Sequence, residues 1–120
     1  MPSEFLVIFQ YHEPEPFHQF EQGMLEEYES TTGIYIDAET ENEAQKWAEA
    51  IASELLKHCN ADVHLNWNQF KYSCWVEHHP DESPWSHCLD FFQHVRVGQL
   101  PVLDGMDSTA YLSWSASQPR

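Results

Sequence analysis

Residues 1–45 contain no lysine and no arginine, and the whole 120-residue chain contains five such residues. Proteins that grip DNA, RNA or an anionic membrane directly do so with cationic surface that displaces counterions. Neither direct nucleic-acid binding nor membrane binding is therefore expected. Glycine is also scarce, with four residues. None of them builds a phosphate-cradling loop or flanks a nucleophile-elbow serine. The three cysteines, Cys59, Cys74 and Cys88, are an odd number at spacings of 15 and 14 residues. That is no disulfide framework, and it points to a reducing, cytoplasmic setting. The apolar run Phe5–Phe9 is five residues long with no basic flank. A signal peptide needs a longer run with a basic start and a membrane span needs ~20 apolar residues, so neither is expected.

Acid fills the gap. Glu4, Glu13, Glu15, Glu21, Glu26, Glu27, Glu29, Asp37, Glu39, Glu41 and Glu43 crowd the first 45 residues, and the chain carries a net charge of −15. Such a surface steers basic partners toward itself, although acidity also serves plain solubility. A hydrophobic content of 42% and an aromatic content of 14% supply a core, so the chain reads as a folded domain rather than an acidic tail.

Hydrophobic periodicity predicts the elements. Phe5–Tyr11 reads as a buried strand, stopped by Glu13-Pro14-Glu15-Pro16. Phe17, Phe20, Met24, Leu25 and Tyr28 share one helical face. Gly33–Ala38 reads as a second strand. Thr40 with Glu43 has the spacing of a capping box, and Ala44, Trp47, Ala48, Ile51, Leu55 and Cys59 form the stripe of the helix it opens. Asn60 is expected to take the left-handed conformation at that helix's end, and His58 lies on its apolar arc. Val63, Leu65 and Trp67 alternate with polar residues, as do Phe70, Tyr72, Cys74 and Val76, which predicts a hairpin. Trp75 sits on the polar face of its second strand. Ser83-Pro84 then opens a helix with the stripe Trp85, Cys88, Leu89, Phe92 and Val95, ended by Gly98 and Pro101. A last short helix begins near Asp107 and carries Ala110, Tyr111 and Trp114.

The expected fold is a single α+β domain over residues 1–120, with a frayed tail from about residue 116. It is a two-layer sandwich of about four mainly antiparallel strands with helices on one face, in the order β-α-β-α-β-β-α-α.

Four of the eight histidines fall between Val76 and Val95. On a helix through this stretch, His87, Asp90 and His94 lie on one face, and His78, Asp81 or Glu82 could fold over from the preceding loop. That set would suit zinc or another divalent transition metal. The bland alternative is a solvated polar face, and no Cys-x-x-Cys or His-Glu-x-x-His signature stands here. His87 diverges from Cys88 by 100° on a helix and cannot activate it. His12 with Glu13 and Glu15 is a further carboxylate–histidine combination.

Two main readings of function follow. In the first, the chain is a small non-catalytic binding protein of the cytoplasm that engages a basic protein surface, as an inhibitor or antidote of a nucleic-acid-handling enzyme would. It needs no cofactor, and its contact residues are Glu13, Glu15, Glu26, Glu27, Glu29, Glu39 and Glu41, with Trp75 as an anchor. In the second, it is a metal-binding module or metal-dependent enzyme built on His87, Asp90, His94 and His78. An assembly subunit using Trp75 or Trp114 is a third, blander reading.

Overall fold

The computed structural model describes residues 3–12, 29–65, 67 and 72–118. The predicted helix on Phe17–Tyr28, and Glu13, Glu15, Glu26 and Glu27 with it, lie outside the described residues.

Strands β1 (Ser3–His12) and β2 (Glu29–Ala38) pair antiparallel along their full length, from Ser3 opposite Ala38 to His12 opposite Glu29. The run Leu6-Val7-Ile8-Phe9 is buried residue after residue, at 2% exposure or less. An uninterrupted apolar strand of this kind needs cover on both faces, because successive side chains point opposite ways. Val7, Phe9 and Tyr11 face one layer together with Ile34 and Ile36, whereas Leu6 and Ile8 face the other.

Helix α1 (Glu41–Asn60) covers the first face. Thr40 caps it, its hydroxyl accepting from the Glu43 amide at 3.2 Å, as the capping-box spacing requires. Ala44, Ala48, Ile51, Ala52, Leu55 and Leu56 are fully buried against the sheet, and the three alanines allow the helix to approach closely. Burial of Ile51, Leu55 and Leu56 stabilises the fold by ~2 kcal/mol each. Trp47 and Cys59, expected in the stripe, lie at its half-buried margin. The left-handed residue is Ala61 (φ 51°), not Asn60. Asn60 stays helical and donates its side-chain amide to the Leu56 carbonyl at 2.8 Å, which leaves the next residue to turn the chain.

The first arm of the predicted hairpin is not a strand among the described residues, and the turn at Asn68-Gln69 and Phe70 lie outside them. Residues 62–64 turn instead, with the Asp62 carboxylate accepting from the His64 amide at 2.9 Å, and Val63 is 75% exposed. Such a local side-chain bond competes with strand geometry. Trp67 is buried and donates its indole N–H to the Gln10 carbonyl at 2.6 Å. The second half of the hairpin survives as β3 (Cys74–Glu77), antiparallel to β1.

The helix predicted after Ser83 is also absent. The Ser83 hydroxyl donates to the Pro80 carbonyl and accepts from the Trp85 amide, which closes a tight turn. Two 3-10 turns follow one another, Pro80–Glu82 and Ser86–Phe91, the second kinked at Cys88. The chain becomes extended at Phe92 and adds β4 (His94–Arg96) parallel to β2. The β-branched residues of His94-Val95-Arg96-Val97 suit that outer position better than a helix. Gly98, expected as a helix stop, takes φ 91° in the turn that the Gln99 amide closes onto Arg96.

The sheet therefore runs β3-β1-β2-β4, a mixed four-stranded sheet in an α+β fold. Its second face is covered too. Cys88 and Phe92 are buried on it with Leu6 and Ile8, and Trp75, Trp85, Leu89 and Phe91 pack around them. Helix α2 (Ser108–Ser117), capped by Asp107, adds Tyr111 and Trp114 to that layer. It runs one residue past the point where fraying was expected, and Gln118 donates to the Trp114 carbonyl at 3.2 Å. No helix among the described residues is long and apolar enough to cross a membrane.

Glutamine side chains finish the sheet's margins. Gln99 accepts from the Arg96 amide at 3.2 Å through its side chain while its own amide donates to the Arg96 carbonyl at 2.9 Å. Gln93 binds both the amide and the carbonyl of Val102, at 2.9 and 2.8 Å. On the opposite edge Gln45 donates to the Cys74 carbonyl at 3.1 Å.

Candidate functional site

The second face of β2 carries Tyr35, in register with Leu6 on one side and His94 on the other. The Tyr35 and His94 rings stack at 4.6 Å between centroids and 8° between planes. The His94 imidazole meets Glu4 from the start of β1, Nδ1 to Oε2 at 2.7 Å. Burial raises the Tyr35 phenol above its ordinary pKa, and the fields of Glu4, Asp81 and Asp90 add to the shift. Those three carboxylates come from β1 and from the two successive 3-10 turns. Segments up to 86 residues apart thus aim negative charge at one phenol.

More acid flanks this group. Asp37, next to the end of β2, lies opposite Glu4 and beside Arg96 of β4. Glu39, Glu41 and Glu43 are exposed where α1 begins, and Glu77 ends β3 opposite Leu6. The starts of β1 and α1 and the ends of β2, β3 and β4 therefore meet at one end of the sheet, and that end is acidic. Its tie across the layers is His78, which bonds Glu41 through Nε2 and Oε1.

This placement dissolves the geometry on which the metal reading rested. His87 and Asp90 sit in a kinked 3-10 turn, His94 in a strand, and no helix face holds them together. His94 is engaged by Glu4 and His78 by Glu41, whereas His87 lies 3.3 Å from the Tyr111 hydroxyl. Among the described residues no three His, Cys, Asp or Glu side chains come close enough to hold a metal ion. His58, expected on the buried arc, is exposed and pairs with Asp104.

Cys74 and Cys88 are not activated as nucleophiles. None of the three cysteines is in a disulfide. Burial, with Glu49 adding to it, pushes the Cys74 thiol up to about 12. Burial also raises Cys88, whose thiol donates to the Trp85 carbonyl at 3.3 Å. A thiol held in its neutral form is inert toward most electrophiles.

Of the contact residues expected from the sequence, Glu39 and Glu41 lie on the exposed acidic end. Glu29 begins β2, with its side chain outside the described residues. Trp75 is half-buried, and its ring packs at 5.9 Å against Trp85, so the layer that covers its face also covers most of the ring. No sequence spacing groups Glu4 with Asp81 and Asp90 as partner contacts, because only the tertiary fold brings them together.

The chain matches no protein-family model, and searches of curated proteins and of solved structures return no match.

Proposed function

We propose that this protein is a non-catalytic binding module that engages a basic surface of another protein through the acidic face around Tyr35. The gathering of Glu4, Asp37, Glu39, Glu41, Glu43 and Glu77 at one end of the sheet, with Glu4 bonded to the His94 ring that stacks on Tyr35, carries the reading. The fields of Asp81 and Asp90 add to it. Negative charge concentrated on one face selects a complementary positive one. The stacked Tyr35 and His94 rings give this face a flat centre against which a lysine stem or an arginine plane can lie. The net charge of −15 adds long-range attraction. Three thiols outside any disulfide fit a reducing compartment, so the cytoplasm is the proposed setting. A partner that itself handles nucleic acid would present the required basic surface, with carboxylates taking the place of phosphates.

The test begins with capture from the source cell at low salt, followed by association kinetics with whatever basic protein is recovered. Glu4→Gln, Asp81→Asn and Asp90→Asn combined should slow association at least ~tenfold at low salt. Glu49→Gln, Glu54→Gln and Asp62→Asn combined remove the same charge elsewhere and should slow it much less. Recovery of no basic protein, or equal slowing by both triple variants, would overturn the reading.

A further inference from the structure

Beyond the outer side of β2, where β4 pairs with Tyr35–Asp37 and no further, a cavity of about 250 Å³ opens beside Thr31 and Thr32. Aromatic rings line it. Phe91 and Tyr111 stand nearly perpendicular, at 82° with centroids 5.4 Å apart, and Trp85 and Phe92 extend the lining. Thr31, Thr32, His87, Asp107 and Ser108 also line it, so aromatic and polar groups share the walls. From this the geometry points to a binding site for a small organic cation, an alkylammonium or quaternary ammonium group.

Three features select that chemistry. Aromatic faces carry negative potential and attract ammonium groups without demanding directed hydrogen bonds. The first turn of α2, which would otherwise draw an anion, is already answered by Asp107, whose Oδ1 accepts from the Ala110 amide at 2.8 Å. A full carboxylate charge exceeds the roughly half charge of the helix end beside it. The cavity is also smaller than the ~300–1,000 Å³ of drug-sized sites, which suits a compact head group. The His87 imidazole is held beside the Tyr111 hydroxyl at 3.3 Å, at the margin of the ring pair. None of Tyr35, His94, Glu4, Asp81 and Asp90 lines this cavity.

The same chemistry can arrive as a free amine or as the side chain of a methylated lysine. The experiment therefore titrates the full chain with choline, with N-acetyl-trimethyllysine amide, and with 3,3-dimethylbutan-1-ol, the uncharged carbon isostere of choline. Nuclear magnetic resonance shifts of the Trp85 indole and the Tyr111 ring report binding, with sodium chloride matching ionic strength. At least one cation should bind at least tenfold more tightly than the isostere. The tighter of the two cations identifies the source. Asp107→Asn keeps the helix cap, since asparagine caps as well as aspartate, and should weaken cation binding at least threefold while leaving the circular dichroism spectrum of the folded protein unchanged. Tyr111→Leu should remove most of the binding, and if that variant fails to fold, Asp107→Asn decides alone. Neutralising Glu4, Asp81 and Asp90 should change choline affinity less than twofold, which keeps this test distinct from that of the protein partner. Equal binding of choline and its isostere, no localised shift with either cation, or indifference to Asp107→Asn would overturn the assignment.

Discussion

Replacing Gly33 by alanine probes a close approach in the second layer. A Cβ at Gly33 would stand 2.6 Å from Ile8 Cδ1, 3.3 Å from Phe92 Cζ and 3.3 Å from the Val7 carbonyl oxygen. Carbon atoms pack best at ~3.5–4.0 Å, so Ile8 would have to retreat by about 1 Å. The end of an isoleucine is flexible in the open, but Ile8 is fully buried and Phe92 is 5% exposed, so neither has free space. Overpacking of this kind costs ~1–3 kcal/mol. The gain from restricting the unfolded chain is ~0.4–1 kcal/mol and offsets part of it. The expected net loss is ~1–2 kcal/mol, seen in urea unfolding followed by tryptophan fluorescence and as a fall of several degrees in Tm. A double-mutant cycle sharpens the test. Ile8→Val deletes the methyl group nearest the new Cβ, so Gly33→Ala should cost less in that background, by at least ~0.5 kcal/mol. A neutral Gly33→Ala, or strict additivity in the cycle, would refute the close approach of Gly33 to Ile8 across the β1–β2 pair.

Ala61→Gly should stabilise the protein by ~0.5–1 kcal/mol in the same unfolding assay, because glycine adopts the left-handed conformation there without the strain an L side chain bears. Thr40→Ala should cost ~1 kcal/mol, since the Glu43 amide loses its acceptor, and unchanged stability would argue against the cap. Cys74 in the native protein should resist alkylation at pH 8, whereas denatured protein should label three cysteines quickly. The folded thiol titrates at about 12 and the unfolded one near 9, so only the unfolded state ionises between those values. Stability should therefore be independent of this group below pH 9 and fall as pH rises from 9 to 12, and a rise over that window in unfolding midpoints would contradict the burial.

Local signals carried the parts of the fold that were legible beforehand. The apolar run in β1, the Thr40 cap and the alanine-rich stripe of α1 each specify their own element, and nothing elsewhere in the molecule opposes them. The two misread stretches fail for different reasons. Alternation at Val63, Leu65 and Trp67 mimics a strand, but the Asp62–His64 bond turns the chain and Trp67 is claimed by Gln10. Trp85, Cys88, Leu89 and Phe92 repeat at three and four residues, which a 3-10 turn over a sheet satisfies as well as an α-helix does. Breaking that helix moved His94 into a strand and took the metal reading's geometry with it. The unbroken burial of Leu6 to Phe9 could have shown that helices on one face were not enough, since both sets of side chains need cover. Tyr35, His94, Glu4, Asp81 and Asp90 share no spacing or motif. Their meeting depends on strand order, and a sequence reading that omits β4 cannot produce it.

The glutamines at the sheet's margins bear on how this chain behaves in a crowd. An outermost strand ordinarily offers its spare amides and carbonyls to any passing strand, and proteins commonly blunt that offer with lysines. This chain has few lysines to spend there, and mutual repulsion among acidic copies weakens once salt shortens its reach to ~8 Å. Gln99 engages both outward groups of Arg96, and Gln45 takes the Cys74 carbonyl on the far edge. These short-range bonds do not depend on the screened charges, so Arg96 on one edge and the Cys74 carbonyl on the other stay occupied at any salt concentration.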